Sequence, residues 1–294
     1  MLPQGLARRA EVLPLPIAGP LRRADVATSK AGAYVPLVQA AEATLALLAA
    51  VVLRDAGAEG LAPGLLKPDH AAHASMGLWR QTLEGVAHKL KRPTLPELTA
   101  LRADAGRWGV FNSAVGILVD ARNHFAHPIK AVDAVLAERE LPRCAEALRS
   151  VLAMLPALEQ VTLVRVVARG PTDGRLQVVP LNGPHATRSP QWVTWADPPG
   201  PATVLLLDTA RGRWRDLAPL YRWADDQLWA YTRTVRDGDG WQAHWADCVQ
   251  SKDGAPTQAP GPGWLARRLA ERAPGGAARL SPTDAVALSG GPTA

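Results

Sequence analysis

Arg122 and His127 stand five positions apart in the run RNHFAH, and both side chains can take part in chemistry. A histidine has an ordinary pKa of about 6.5, so the His127 imidazole can donate or accept a proton near neutral pH. The Arg122 guanidinium offers planar donors to phosphate oxygens as negative charge builds up in a transition state. Asn123 follows the arginine directly and can hold the backbone or the His127 ring in place. The alternative is a structural pair, because cations are also stabilised at the negative C-terminal end of a helix.

His124 lies inside the same run and is a candidate substrate-binding residue, although a solvated residue at a helix end is the simpler interpretation. Outside this run the sequence offers little for a metal. His70 and His73 are spaced like ligands on a helix, but they stand in a Pro-, Gly- and Ala-rich stretch without evident partner ligands. We therefore expect no metal and no other cofactor.

The order of arginine, polar residue, three further residues and histidine resembles the signature of the HEPN superfamily, whose members are small helical bundles. Arg122, Asn123 and His127 match that signature, and the resemblance covers about residues 33–157. It implies that two protomers face each other so that both Arg–His pairs line one cleft, and that active members cleave RNA without a metal. In some HEPN toxins a partner enzyme modifies a tyrosine two positions after the histidine. Ile129 stands there in this chain, which argues against that form of control.

The chemistry of RNA agrees with these residue types, because RNA carries its own nucleophile, the 2′-hydroxyl. Its cleavage needs a base for that proton and an acid at the leaving oxygen, and two-fold pairing would supply one histidine for each. The resemblance thus implies a metal-independent endoribonuclease working as a homodimer, either a toxin or an antiviral-defence effector, with a protein regulator encoded nearby as a further partner. The alternative is a catalytically inactive HEPN-like module for dimerisation and partner binding, with the β-rich part as sensor or docking surface.

The run 122–127 ends the most apolar helix that the sequence predicts. Arg122 continues an apolar progression through positions 111, 115 and 118, and Pro128 disfavours helix at His127, so we expect the chain to bend there. The apolar stripe of this helix consists of Val110, Phe111, Ala114, Val115, Leu118 and Val119.

Other helices are expected before and after this one. Helical spacing of apolar residues predicts a helix over 33–55, a second one capped by Ser75 and a shorter one over 94–107 that ends before Gly109. A last long helix is predicted over 130–158, with a kink or break at Pro142.

After Leu158 the hydrophobic period changes from helical to alternating, which is typical of strands. Strands are predicted in VTLVRVVARG, GRLQVVPLNG, QWVTWAD and ATVLLLDTARG, followed by a hairpin through 237–240, because Asp-Gly pairs favour tight turns. Eight of the ten tryptophans lie between Trp192 and Trp264. They could stack on bases, but their place in alternating strands favours the core of a small sheet.

These patterns predict an α+β chain, with an N-terminal HEPN-like helical bundle followed by a small antiparallel β domain. Residues 1–30 contain several prolines and two Arg pairs and are predicted to form a loosely ordered arm. The helical domain would then cover 31–157 and the β domain 158–250. The Pro-, Gly- and Ala-rich residues 251–294 are predicted to be a disordered tail.

The composition, with 47% hydrophobic and 20% charged residues, is ordinary for a soluble protein. The net charge of +6 favours RNA as a partner, although the Ala-, Arg-, Pro- and Gly-rich bias of the whole chain explains it equally well. Cys144 and Cys248 cannot form a disulfide framework, and reduced thiols fit a cytoplasmic protein. The apolar run around Leu45–Leu53 is too short for a membrane span, and the proline-broken N-terminus lacks a signal-peptide core. We therefore expect no membrane as a partner.

Overall fold

A computed structural model of the chain describes residues 2–61, 75–126, 134–170, 174–184, 189–195, 204–249, 252–261, 264–271, 275–277, 280, 283–284 and 288. The α+β class is confirmed, with helices in the N-terminal part and antiparallel sheets in the C-terminal part. The helices are α1 (Gln4–Arg9), α2 (Leu15–Val26), α3 (Lys30–Ala58), α4 (Met76–Val86), α5 (Pro96–Ala103), α6 (Ala105–Ala126), α7 (Ala134–Met154) and α8 (Trp264–Ala270), with 3-10 turns at Ala87–Lys89 and Pro156–Glu159.

The central helix of the bundle is α3, against which α2, α4, α6 and α7 all pack. It begins where the Ser29 hydroxyl accepts a hydrogen bond from the Gly32 amide at 3.0 Å, which satisfies one free donor of the first turn. Among the described residues, α3 is long and apolar enough to cross a membrane. However, 67% of its most apolar window is buried inside the protein. Burial of this kind is typical of a core helix that neighbouring helices surround.

The predicted helices are confirmed in outline and corrected at several ends. Ser75 caps α4 by accepting a hydrogen bond from the Leu78 amide at 3.2 Å. The predicted helix over 94–107 is instead two elements, because α5 ends at Ala103 and α6 begins at Ala105 and runs through Gly109. Helix α7 continues unbroken through Pro142, so the expected break there is wrong.

Two antiparallel sheets follow the helices. The strands are β1 (Val161–Arg169), β2 (Arg175–Pro180), β3 (Gln191–Thr194), β4 (Val204–Asp208), β5 (Arg213–Asp216), β6 (Tyr221–Ala224), β7 (Gln227–Asp237), β8 (Gly240–Asp247), β9 (Thr257–Ala259) and β10 (Gly275–Ala277). One sheet has the order β10-β5-β4-β1-β2-β3 and the other the order β6-β7-β8-β9. The four strands predicted first are confirmed as β1 to β4. The predicted hairpin is β7–β8, with Asp237 opposite Gly240 and Gly238 at a φ of 57°.

Residues 1–30 are not the loosely ordered arm that the prolines indicated. Leu6 and Leu13 are fully buried, and the Leu15 amide donates to the Leu181 carbonyl at 2.8 Å. The prolines mark the start of α2: Pro14 precedes it, and Pro16 lies in its first turn, where no amide donor is needed. The described part of this segment is therefore a packed part of the bundle.

The predicted boundary between a helical and a β domain does not separate two cores. One continuous cluster of buried apolar residues runs from Leu2 in the N-terminal segment to Leu269 in α8. The expectation of a disordered tail over 251–294 is also corrected for its described residues, because Leu265 and Leu269 are buried on one face of α8. Spacing of four positions places both leucines on the same side of a helix, which explains why this short element packs.

A buried ionic network joins the end of α3 to β5. Asp55, 1% exposed, accepts hydrogen bonds from Arg215 Nε at 2.8 Å and from the amide and hydroxyl of Thr94, both at 2.7 Å. Beside it, Arg54 Nε donates to the Asp216 carbonyl and Arg54 Nη1 to the Arg268 carbonyl, each at 3.2 Å. Burial raises the pKa of Asp55, while Arg215 and Thr94 oppose that rise. Buried, desolvated charged groups thus connect the helices to the sheets.

Candidate functional site

The first half of the predicted motif lies in the last turns of α6. Phe111, Val115 and Leu118 are buried against the bundle, which fixes the rotation of this helix about its axis. Val110, by contrast, is 58% exposed and does not belong to the buried stripe. The polar residues 122–124 come directly after this buried stretch in the same helix. Because successive helix residues differ by about 100°, their side chains point in three different directions.

Arg122 points towards α3. Its Nε lies 3.5 Å from Glu42 Oε1, and the two side chains are 29% and 30% exposed. Burial raises the pKa of Glu42, and the guanidinium of Arg122 opposes that rise. The motif arginine therefore has a carboxylate partner within its own chain.

Asn123 and His124 face away from that pair and line a groove between α6 and α7, which we call the α6–α7 groove. Its volume is about 350 Å³. The lining consists of Ile117, Asp120, Ala121, Asn123, His124, Glu140 and Arg143. Successive helix residues differ by about 100° in direction, so neighbours such as 122 and 123 open onto different surfaces. The structure thus separates Arg122 from Asn123 and His124.

The His124 ring is held by its own helix. Its Nδ1 lies 2.8 Å from the Asp120 carbonyl oxygen, one turn earlier. A carbonyl can only accept, so Nδ1 donates in this contact, and in the neutral ring Nε2 is then the acceptor. Across the groove, Glu140 Oε2 lies 3.5 Å from Arg143 Nη1. The groove therefore combines an oriented imidazole with a partly neutralised cation.

On the opposite side of α6, Arg122 and Glu42 line a second cavity, of about 220 Å³, between the helices and the four-stranded sheet. We call it the helix–sheet cavity. Its walls are Pro16, Pro20, Gln39, Glu42, Ala43, Ala46, Trp79, Arg122, Tyr221, Ala230, Tyr231, Thr232, Ala246, Asp247 and Cys248. Tyr221 is 2% exposed, and its hydroxyl has no hydrogen-bond partner among the described residues.

The remaining predicted residues of interest lie outside the described residues. His127 follows the last described residue of α6, and His70 and His73 fall in the range 62–74. Within the part of the chain that the structure describes, no group of three or more His, Cys, Asp or Glu side chains could hold a metal ion.

Sequence reasoning missed Glu42 and Tyr221. Glu42 could have been found, because it is the single charged residue between Lys30 and Arg54 in an otherwise apolar helix, and such a carboxylate needs a partner. Tyr221 carried no comparable signal, since its place in the cavity depends on how a strand packs against distant helices.

Most of the tryptophans belong to the core, as their place in alternating strands predicted. Trp195, Trp214, Trp229 and Trp245 are all at most 8% exposed. Trp192 is the exception, at 43% exposed, with the Arg175 guanidinium 5.3 Å from its ring centroid.

In comparisons with known proteins, no family model, no curated protein and no solved structure matches the chain.

Proposed function

We propose that this chain is a metal-independent endoribonuclease that works as a homodimer, with its reactive groups at the C-terminal end of α6. The observation that carries the proposal is the His124 imidazole, which is held through Nδ1 in the open α6–α7 groove. A ring oriented in this way presents Nε2 as a fixed hydrogen-bonding group towards a bound substrate. The resemblance of Arg122, Asn123 and His127 to the HEPN signature adds the second imidazole and the choice of RNA as substrate.

In this proposal the groove residues bind RNA and His127 supplies the main acid–base group. Asn123 is exposed, and the Arg143 side chain is 57% exposed, so both can contact phosphate oxygens. Arg122 reaches a phosphate only when its contact with Glu42 opens, since one guanidinium cannot face both directions. Val135, 78% exposed in the first turn of α7, offers an apolar contact for a second copy beside this end of the bundle.

The test is RNA cleavage by the purified full chain in the presence of EDTA. We expect products with 2′,3′-cyclic phosphate or 3′-phosphate ends, because the nucleophile is the substrate's own hydroxyl. His127→Ala and Arg122→Ala should each remove most of the activity, by about 100-fold or more for the loss of an acid–base group. The matched controls are His88→Ala and Arg107→Ala, which change exposed residues away from the groove.

Retention of wild-type cleavage by both motif variants would assign the activity to another site or to a contaminant. Loss of cleavage with His127→Ala but not with His88→Ala, at equal melting temperature, supports the proposal. Sedimentation of the full chain as a monomer at micromolar concentration, with activity that does not depend on concentration, would contradict the dimer.

A second candidate function is a non-catalytic module for dimerisation and partner binding. One observation favours it: the motif arginine, Arg122, forms an ion pair with Glu42 of the same chain. A guanidinium held in this way is suited to fixing the end of α6. This candidate predicts that the wild-type protein dimerises but cuts no RNA at any concentration.

A further inference from the structure

The helix–sheet cavity has charged groups of both signs with bonding capacity left over. Arg122 Nε lies 3.5 Å from Glu42 Oε1, longer than the about 2.7–2.9 Å of a good charge-assisted hydrogen bond. A guanidinium has five donors and a carboxylate about four acceptor positions, so this contact leaves most of them open. Both side chains are about one-third exposed, which leaves them accessible from outside.

A buried hydroxyl adds a third polar group to the same cavity. Tyr221 lines it at 2% exposure, and its oxygen has no hydrogen-bond partner among the described residues. A buried polar group left unsatisfied destabilises the protein, so a ligand that bonds to it recovers free energy. The other acidic group of the wall, Asp247, already lies near the Arg23 guanidinium and is therefore balanced.

Much of the remaining wall is apolar, although Gln39 and Thr232 also line it. Ala43, Ala46, Trp79 and the two prolines of α2 form the apolar surface. A volume of about 220 Å³ equals the share of about seven water molecules in the liquid. That room is enough for a molecule of the size of an amino acid.

We propose that the helix–sheet cavity binds a small zwitterion, namely a free α-amino acid with an apolar side chain. Its carboxylate would be bound by Arg122 and the Tyr221 hydroxyl, its ammonium by Glu42, and its side chain by Trp79 and the alanines. A simple anion would meet Glu42 and a simple cation would meet Arg122, whereas a zwitterion presents the opposite charge to each. This inference does not rest on the proposed ribonuclease activity.

The experiment is isothermal titration of the full chain with each of the twenty common amino acids. The best binder is then compared with its methyl ester, which lacks the anionic carboxylate, and with its N-acetyl form, which lacks the cationic ammonium. We expect saturable binding of one or a few apolar amino acids, and at least about tenfold weaker binding of both derivatives, as the loss of about 1.4 kcal/mol requires.

Variants link that binding to the cavity. Tyr221→Phe and the charge-balanced double variant Glu42→Gln/Arg122→Gln should each weaken binding at least about tenfold, equivalent to about 1.4 kcal/mol. Tyr34→Phe is the matched control, since it removes a buried hydroxyl outside the cavity and should bind as the wild type does. His127→Ala should also bind normally, which separates this inference from the proposed function. Because Tyr221→Phe removes a hydroxyl without a partner, it should fold, and Ala43→Leu, which fills the cavity, is a second variant with the same expected loss.

The proposal is overturned if no amino acid binds, or if binding survives unchanged in the folded Tyr221→Phe, Ala43→Leu and double Gln proteins. Equal affinity for the methyl ester would show a cation site, and equal affinity for the N-acetyl form an anion site; either result also overturns it.

Discussion

Glu42 is the residue that pairs with the motif arginine in the helix–sheet cavity. It is the one carboxylate in a long apolar stretch of α3, and its contact with Arg122 sets the direction of the motif arginine. Burial raises its pKa above the ordinary value, so the folded protein keeps the proton on this side chain to a higher pH than the unfolded chain does. The contribution of Glu42 to stability is therefore complete at low pH and is lost as the pH rises through its raised pKa.

Glu42→Gln should accordingly gain stability relative to the wild type as the pH rises, because glutamine cannot ionise. The measurement is the free energy of unfolding in urea of both proteins from about pH 4, near the ordinary pKa of a glutamate, to about pH 7. The effect should be small, since Glu42 is 30% exposed and solvent screens it.

Glu138→Gln is the control with the opposite sign. A hydrogen bond from Lys30 lowers the pKa of Glu138, so the wild type should gain relative to this variant as the pH rises. If Glu42→Gln instead loses relative stability towards neutral pH, the pair is a net stabilising ion pair and the raised pKa is wrong.

The polar run at the end of α6 shows how far residue types alone can lead. The apolar stripe correctly predicted a helix here, and the polar residues after it correctly predicted a more exposed last turn. It could not predict that Arg122 and Asn123 open onto different surfaces, because that depends on which neighbouring helix occupies each side. Spacing along a sequence fixes relative angles on a helix, whereas the partners come from packing.

Among the elements, the N-terminal segment is held by contacts that are distant in sequence. Asn182 Nδ2 donates to the Val12 and Val161 carbonyls, and Asn182 Oδ1 accepts from the Leu163 amide, all at 2.8 Å. One buried side chain thus joins the segment before α2 to β1. The prolines that indicated disorder could not reveal this, because the partner lies about 170 residues away.

Asn182→Ala should lower the free energy of unfolding by about 2–4 kcal/mol, since each buried group left unsatisfied costs about 1–3 kcal/mol. Urea unfolding of the full chain measures this change. Asn123→Ala, at an exposed position, should stay within about 0.5 kcal/mol of the wild type. An equally small effect of Asn182→Ala would mean that water replaces its hydrogen bonds and that the segment is not held by them.

Strands rich in apolar residues could be predicted from the sequence, whereas a charged strand could not. In β4, the run VLLLD is buried at every position, and its apolar character alone indicated a central strand. The neighbouring β5, RWRD, carries three charged residues and was not predicted. Its conformation is imposed by pairing with β4 and by the contact of Arg215 with Asp55, neither of which a local pattern contains.

At the scale of the whole molecule, the ionic network around Asp55 is a buried polar connection between helices and sheets. Removing one partner of a buried ion pair leaves the other charge without compensation, at a cost of about 3–5 kcal/mol. Arg215→Met should therefore destabilise the chain by about that amount, as measured by urea unfolding. Asp55→Asn/Arg215→Met together should recover part of the loss, because no charge of the pair is then left buried alone. Additive losses in the double variant would contradict coupling between the two side chains.

A chain ending at Leu158 is the sharpest test of whether the helical part is a domain of its own. The boundary at 157 predicted that such a chain would fold, but the continuous core predicts that it will not. Truncation removes the partners of Arg54, which is 4% exposed, and the Arg215 partner of Asp55, which is 1% exposed. It also uncovers apolar side chains that the sheets now bury. We expect a molten or aggregated product, with far-ultraviolet dichroism of helices but no cooperative thermal transition, and with strong binding of a hydrophobic dye.

Co-expression with residues 159–294 as a separate chain should restore a cooperative transition, because the missing half of the core is then present. A cooperative melt of the fragment alone would show that the helices have a sufficient core, and the sheets would then be an attachment that the bundle can lose.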